Sequence, residues 1–419
     1  MTNANGQEEE VRCRYVVGCD GTRSVVRISA GLSFEGGAYP QDFILADVKA
    51  KWDLWPCLHL FVGDVGFLVV IPLKDGYFRV IGSRPQGADI SIEPTLKDFK
   101  VCCANLVPGE VELTDPTWIS KFNLHHRTAS SYRSGRLFLA GDAAHIHSPV
   151  MNTGIQDAAN LGWKLAAVLK SQVPAADIET FLDSYNMECH KVGEKLLNGT
   201  DKIFKLMATR NPIYLFLRNW LLPLILPIAM RNPELRQKRF RFVSQLAIRY
   251  RNSPIVGQAS TWAGKLRGGD RTPNGKIIDK HGEETMLLNL CRGPQYHLLQ
   301  FYGTPRSAVS EAAIADSGTL TGYMVPPQVD PKSVLVYHSI MRAQSVTDYK
   351  DDEDWHADTG GLVHELYGFG SEGDDGRGYV LVRPDGRIAW IGNLASVLEM
   401  EEALRGWGIR VSHLPNNGE

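Results

Sequence analysis

The chain lacks a strong net charge of either sign, a paired-cysteine motif and an apolar run long enough to cross a bilayer, and each lack removes a class of function. Its 45 Lys and Arg against 47 Asp and Glu leave a formal charge of −2, so no electrostatic footprint recommends a nucleic-acid partner. Seven cysteines form no Cys-x-x-Cys pair, and Cys102 and Cys103 are adjacent in sequence, which makes them poor partners for each other. That usage fits a reducing compartment better than a disulfide scaffold. The most apolar stretch, Pro212 to Met230, is interrupted by Arg218 and Asn219 and broken by Pro223 and Pro227. Its clean part, from Trp220, is about half the length of a membrane span, so a buried or interface-facing helix is expected and a stable membrane span is not. The opening, Met1 to Glu10, is polar and acidic and reads as neither a signal nor a transit peptide, which predicts a cytoplasmic protein. His145 and His147 form a His-x-His pair without a nearby third ligand, so no metal site is predicted.

With 419 residues, 43% of them apolar, the chain can bury more than one core. The most informative stretch runs from Arg136 to Leu169. A short apolar run, Leu137 to Ala140, ends in Gly141-Asp142-Ala143-Ala144-His145, the way a buried strand delivers a carboxylate to the carboxyl edge of a sheet. A helix follows, with Thr153 and Gln156 spaced as a capping box and Ile155, Ala158, Ala159, Gly162, Leu165, Ala166 and Leu169 as its expected inner face. Such a unit is compatible with plain packing. It is equally compatible with a ligand site in which Asp142 accepts from polyol hydroxyls and free N–H groups at the helix start face electron-rich atoms. Near the start, a strand from Val11 to Gly18 runs into Cys19-Asp20-Gly21-Thr22-Arg23-Ser24, a turn with Ser24 as a helix cap. The pattern by itself reads as a surface turn with a solvated basic pair, Arg23 and Arg27.

Gly141 to His145, with Met151-Asn152-Thr153-Gly154-Ile155-Gln156-Asp157-Ala158, resembles the second FAD-contacting motif of the class A flavoprotein monooxygenases, the aromatic hydroxylase family that includes phenol hydroxylase. Asp20-Gly21 with Arg23 resembles that family's Asp-Gly motif, which contacts FAD and lies on the path of the nicotinamide donor. The resemblance implies that Gly141, Asp142, Ala143, Met151, Asn152, Thr153, Asp20, Gly21 and Arg23 serve the cofactor. It also implies NAD(P)H as co-substrate, O₂ as the oxygen source and a small aromatic, phenolic or polyketide-like substrate. Asp142 would hold the ribityl hydroxyls, and no catalytic base is assigned. Two family pieces have no counterpart here: a Gly-x-Gly-x-x-Gly turn ahead of Asp20, and a glycine-rich segment between Val150 and Met151.

Between the two motifs, Phe43 to Ala50, Leu58 to Val62, Phe67 to Leu73 and Tyr77 to Gly82 read as strands, with Lys74-Asp75-Gly76 as a hairpin turn. The aromatics Trp52, Trp55, Phe61, Phe67, Tyr77 and Phe78 are expected in the core. Residues 174–262 read as helical, with a solvated basic face at Arg236, Lys238, Arg239 and Arg241. Residues 263–419 read as a small α/β module with strands at Met286 to Leu290, Tyr296 to Tyr302, Val334 to His338, Tyr379 to Arg383 and Arg387 to Ile391, then a helix from about Ser396. It resembles the thioredoxin-like tail of the phenol hydroxylase branch, notably in Leu381 to Arg387, and without Cys-x-x-Cys it is suited to packing or to a homodimer interface.

The expected fold is therefore α/β with an inserted antiparallel β-sheet. It comprises a partial FAD-binding domain (1–34 and 118–173), a β-sheet substrate domain (35–117), a helical segment (174–262) and a C-terminal thioredoxin-like domain (263–419). Three readings of function follow: an FAD-dependent monooxygenase, a non-catalytic relative acting as a dimerisation or partner-binding module, and an incomplete version of an ordinary enzyme. Without the pyrophosphate cradle the polypeptide alone is expected to hold FAD weakly.

Overall fold

The computed structural model describes residues 6–52, 57–63, 66–84, 91–146, 153–208, 211–302, 335–342, 355–370 and 376–407. Two compact units are present, Met1–Ile155 with Lys191–Ala247, and Gln156–His190 with Ile248–Glu419.

In the first unit, strand β1 (Val16–Gly18) is followed by helix α1 (Val25–Ser29) and strands β2 (Phe34–Lys51), β3 (His59–Gly63), β4 (Gly66–Pro72) and β5 (Tyr77–Ser83). Helix α2 (Leu96–Leu106), strands β6 (Glu112–Ala129), β7 (Arg133–Ser134), β8 (Leu137–Leu139) and β9 (His145–Ile146) and the start of helix α3 (Thr153–Leu169) complete its first segment. The end of α4 (Ile178–Ala208) and α5 (Pro212–Phe216), α6 (Leu222–Arg231) and α7 (Pro233–Val243) belong to the second. Strands β3-β4-β5-β2-β6-β9 form one curled antiparallel sheet, and β1-β8-β7 a separate small one.

The expected hairpin is present. Asp75 and Gly76 take φ of +58° and +75°, so both central residues are left-handed, the twist that suits a tight hairpin, and Leu73 N–H donates to Tyr77 O at 2.8 Å. Alternation sends Ile44, Ala46, Val48, Leu68, Val70 and Val80 to one face of the sheet, where Phe99, Cys102 and Cys103 of α2 cover them. Trp52, Phe61 and Phe78 pack at the margin of this core, as expected, whereas Trp55 lies outside the described residues. Helix α2 itself falls within residues 35–117, expected to form a strand-rich domain. Its cap is Thr95, whose N–H donates to Asp98 Oδ2 at 2.7 Å. Burial lifts the Cys102 and Cys103 thiols to about 12 and about 11, so both act as apolar side chains rather than nucleophiles.

The apolar stretch from Pro212 is divided into α5, a π-type turn at Leu217–Leu221 and α6. Ile213, Trp220, Leu224 and Ile228 are exposed, which corrects the buried alternative of the expectation. No helix among the described residues is long and apolar enough to cross a membrane.

The second unit contains most of α3, the first part of α4 and a mixed sheet. Its elements are β10 (Lys276–Asp279), β11 (Glu284–Met286), α8 (Leu287–Leu290), β12 (Tyr296–Tyr302), β13 (Leu335–Met341), β14 (Trp355–Ala357), α9 (Leu362–Tyr367), β15 (Gly378–Val382), β16 (Ile388–Asn393) and α10 (Val397–Gly406). The strand order is β11-β10-β14-β13-β12-β15-β16, with β12, β13 and β14 mutually parallel and β15 and β16 antiparallel to their neighbours. Central strands β12 and β15 are almost wholly buried, as strands covered on both faces must be. The strand expected over Met286 to Leu290 ends at Met286. Leu287 to Leu290 turn instead into α8, because Asn274 Oδ1 captures the Leu288 N–H at 3.0 Å and Leu287 is fully buried.

Helix α3 reverses one expectation. Ile155 and Leu169 of the supposed inner face are 73% and 48% exposed, and Ala158, Ala159 and Gly162 are exposed too. The buried face is Asp157, Asn160, Leu161, Trp163, Lys164 and Val168. Apolar periodicity points the wrong way because the inner face carries charged groups that are matched inside the second unit. Glu188 of α4, fully buried, accepts from Lys164 Nζ at 2.9 Å, from Asn160, and from both terminal nitrogens of Arg383 at 2.7 and 2.9 Å. Arg383 also donates to both oxygens of Asp385 at 3.0 and 2.6 Å.

Candidate functional site

Strands β1 and β8 run parallel in register, Gly18 opposite Leu139, so the chain leaves both at the same edge of the small sheet. Asp20 and Asp142 follow those two carboxyl ends, the crevice in which ligands of open α/β sheets sit. Ala140 N–H donates to Gly18 O at 3.0 Å and closes the pair. A Cβ on Gly18 would come within 2.7 Å of Val26, so this glycine is what lets α1 lie against β1.

After β8 the backbone makes a single 3₁₀ turn, Gly141–Ala143, with Gly141 at φ +64° and nothing within 4 Å of where its side chain would project. The first turn of α3 arrives at the same glycine: a Cβ on Gly154 would fall 2.8 Å from the Gly141 Cα. Asp142 is exposed, and its carboxylate makes no hydrogen bond or ion pair among the described residues. Thr153 is the first residue of α3 and is buried. Met151 and Asn152, also expected at the site, lie outside the described residues, as does His147. A carboxylate, a left-handed glycine and a helix start are thus brought together beyond the carboxyl end of β8.

In the Asp20-Gly21 turn the carboxylate caps the helix that follows. Asp20 Oδ2 accepts from the N–H groups of Val25 and Val26 at 2.7 and 3.2 Å, capping α1. Partial desolvation pushes the Asp20 carboxyl up, but hydrogen bonds from the Ser24 hydroxyl and those backbone groups prevail and hold it below its ordinary value. Gly21 turns at φ +77° with open space around it, and Arg23 is exposed. Arg27, expected to form a solvated pair with Arg23, is buried instead. Its guanidinium donates to Ala143 O and Thr22 O at 2.8 Å each and lies 3.9 Å from the Phe34 ring centroid. It therefore ties the first motif to the second, a link invisible in sequence because the two residues are 116 apart.

Behind the turn, Tyr132 is fully buried, its ring stacked on His145 at 5.6 Å and its hydroxyl 3.3 Å from Thr128 Oγ1. Gly193 in α4 makes room for that hydroxyl, since a Cβ there would meet it at 2.2 Å. A glycine inside an otherwise helical stretch was the sequence signal for this close approach.

On the face of the curled sheet opposite α2, Phe43 packs against Phe67 and Phe122 at 5.7 and 5.9 Å, with Leu124 and Val69 beside them. Further along the same strands, Arg79 makes a two-pronged pair with Asp47 at 2.9 and 2.8 Å and lies 5.3 Å from the ring of half-exposed Trp118. The face thus has an aromatic end and a charged, hydrogen-bonding end.

Comparison with known proteins matches residues 1–200 to the family model described as FAD binding domain. The chain is 32% identical over 312 residues to 6-methylpretetramide 4-monooxygenase of Streptomyces rimosus, covering 71% of this chain and 54% of that protein. It is 29% identical over 397 residues to pentachlorophenol 4-monooxygenase of Sphingobium chlorophenolicum, covering 92% and 66%. Among solved structures, CabE, an aromatic hydroxylase from angucycline biosynthesis, superposes with a TM-score of 0.60 at 31% identity, covering 95% of this chain and 70% of that one. The chain thus spans roughly half to two thirds of the length of these curated relatives.

Proposed function

The chain belongs to the class A FAD-dependent monooxygenases, the aromatic hydroxylase family, and on that premise we propose that it binds FAD at the Gly141–Ala143 turn to hydroxylate an aromatic or polyketide-like small molecule with NAD(P)H and O₂. The observation that carries the reading is the exposed Asp142 carboxylate, which makes no hydrogen bond or ion pair among the described residues, beside Gly141 and the start of α3. Asp142 would accept hydrogen bonds from the ribityl hydroxyls. The dipole of α3, with N–H groups at Thr153 and Gly154, would favour negative charge on the ring. Met151, Asn152 and Ala143 complete the proposed cofactor set. Asp20 and Gly21 contribute by shaping the neighbouring turn, and exposed Arg23 by facing an approaching nicotinamide dinucleotide. FAD, when bound, would supply the redox chemistry between NAD(P)H and O₂; the protein would bind, orient and exclude water.

Names of relatives acting on a pretetramide and a chlorophenol support a phenolic or polyketide ring as the substrate class. We read the second unit as thioredoxin-like, a reading supported by three parallel strands followed by two antiparallel ones, and assign it a packing or homodimer role, since no pair of its cysteines is spaced for dithiol exchange. We read the chain as cytoplasmic, a reading that its cysteine usage supports. The test is flavin titration followed by NAD(P)H oxidation with polyketide phenols. Saturable flavin binding with substrate-stimulated oxidation is expected, and no flavin binding at saturating FAD would refute the reading.

A further inference from the structure

Helices α5 to α7 have no part in the chemistry above, yet among the described residues they carry the longest succession of exposed apolar side chains in the first unit. Ile213, Leu217, Trp220, Leu224 and Ile228 follow one another at steps of three or four, the spacing of a single helical face. Trp220 and Ile228 are 69% and 72% exposed. Phe216, also exposed, stacks on Trp220 with ring centroids 6.0 Å apart. Within the π-type turn Arg218 is buried instead and donates to Gly63 O at 2.9 Å, which ties the segment to the end of β3 and leaves the apolar stripe outward. Single exposed apolar residues are ordinary, whereas a contiguous stripe marks a surface that something covers.

Charge selects the occupant. Arg231, Arg236, Lys238, Arg239 and Arg241 follow the stripe, with Glu234 as the one acid among them, and all are exposed. Arg231, Arg236, Lys238 and Arg241 make no ion pair among the described residues. A second copy of the chain is a poor cover, because a twofold contact sets a patch against itself and would bring these cations together. An anionic lipid surface suits both parts at once: apolar side chains enter the boundary between headgroups and acyl chains, and cations lie among the phosphates. Trp and Tyr favour that boundary, and Trp220 and Tyr214 are both exposed. Pro223 and Pro227 interrupt the stretch, and no helix among the described residues is long and apolar enough to cross a membrane. Contact along the surface is therefore the mode that fits.

We propose that α5, α6 and α7 form a docking face for an anionic phospholipid surface, with the stripe from Ile213 to Ile228 entering at headgroup level and Arg231, Arg236, Lys238 and Arg241 meeting the lipid phosphates. Only groups of the first unit take part, and no bound cofactor is required.

Cosedimentation of the purified full chain is measured with vesicles of equimolar phosphatidylcholine and phosphatidylglycerol, and with vesicles of phosphatidylcholine alone. The expected result is saturable binding to the anionic vesicles, weakened by salt, and binding at least about tenfold weaker to the neutral ones. Lys238→Gln/Arg241→Gln should weaken binding to the anionic vesicles about 30-fold, the size of two cations at a charged bilayer surface. Leu224→Ser/Ile228→Ser should weaken it by about tenfold or more through lost apolar burial. All four side chains are exposed, so both variants should keep the parent unfolding midpoint. No binding to anionic vesicles, or equal binding by the parent and both variants, overturns the proposal. Binding lost in the charge variant but kept in the apolar one would show loose electrostatic adsorption and overturn it too. Sedimentation equilibrium without lipid covers the rival occupant. A parent dimer that Leu224→Ser/Ile228→Ser dissociates, in a chain that ignores vesicles, would assign the face to a second copy.

Discussion

At its first turn, α3 meets backbone: Gly154 lies over Gly141, with no side chain between them and an open carboxylate next door. In its later turns the same helix buries Asn160 and Lys164 against Glu188, where every group is charged or polar and none is exposed. The first region is made of small residues and depends on what is left empty. The second is filled, and depends on charge being matched. A site that must admit a ligand and a site that must hold a helix thus use the two ends of one element in opposite ways, and substitutions should separate them.

The largest effect is expected at the filled end. Glu188→Ala leaves buried Lys164 uncompensated and Arg383 with Asp385 alone, and should cost about 3 to 5 kcal/mol in denaturant unfolding, with the Glu188→Ala/Lys164→Met double variant recovering part of that loss. If the single variant unfolds like the parent, the network has no energetic weight. At the open end, Gly154→Ala presses a methyl group onto the Gly141 backbone and should cost about 1 to 3 kcal/mol, with a further drop in flavin retention. Parent-like stability and flavin binding in that variant would show that the helix start yields easily.

Acidification sharpens the same contrast from the second unit. Burial draws His297 down from 6.5 to about 4, and its Nδ1 lies 3.0 Å from His338 Nε2, so the folded chain keeps His297 neutral. A lowered folded value means that the fold binds fewer protons than the unfolded chain. Stability is therefore intact above about pH 6.5 and falls as pH drops toward 4. Glu188, also lowered, contributes fully above its ordinary value of 4.5 and loses that contribution below it. Thermal unfolding followed from pH 7 downward should show both windows, and His297→Gln should flatten only the upper one.

These regions differ also in how far the chain alone announces them. Gly141-Asp142 and the Lys74-Asp75-Gly76 hairpin were legible because each depends on local chemistry, a glycine turn or a left-handed pair. The inner face of α3 was not, because periodicity counts apolar residues, and here Asp157, Asn160 and Lys164 face inward while Ile155 faces out. Lys164 and Arg383 lie 24 and 195 positions from Glu188, the carboxylate that joins them, separations that no local pattern encodes. Arg27 was misread for the same reason, its acceptor Ala143 being distant in sequence. Helix α2 left a signal, Thr95-x-x-Asp98 ahead of Phe99, Cys102 and Cys103, that the surrounding strand-prone runs outweighed.

The smallest effect on the fold, and the most direct reading of the site, comes from Asp142→Ala. Asp142 is exposed and has no protein partner among the described residues, so its removal should change unfolding free energy by less than about 0.5 kcal/mol. FAD titration of the parent and this variant under identical conditions is therefore the decisive measurement. The expected result is flavin affinity weakened about 10- to 100-fold, the loss of hydrogen bonds to a charged acceptor, with an unchanged unfolding curve. Equal flavin affinity in the two proteins, or binding in neither, would contradict the assignment of the Gly141-Asp142 turn to the cofactor.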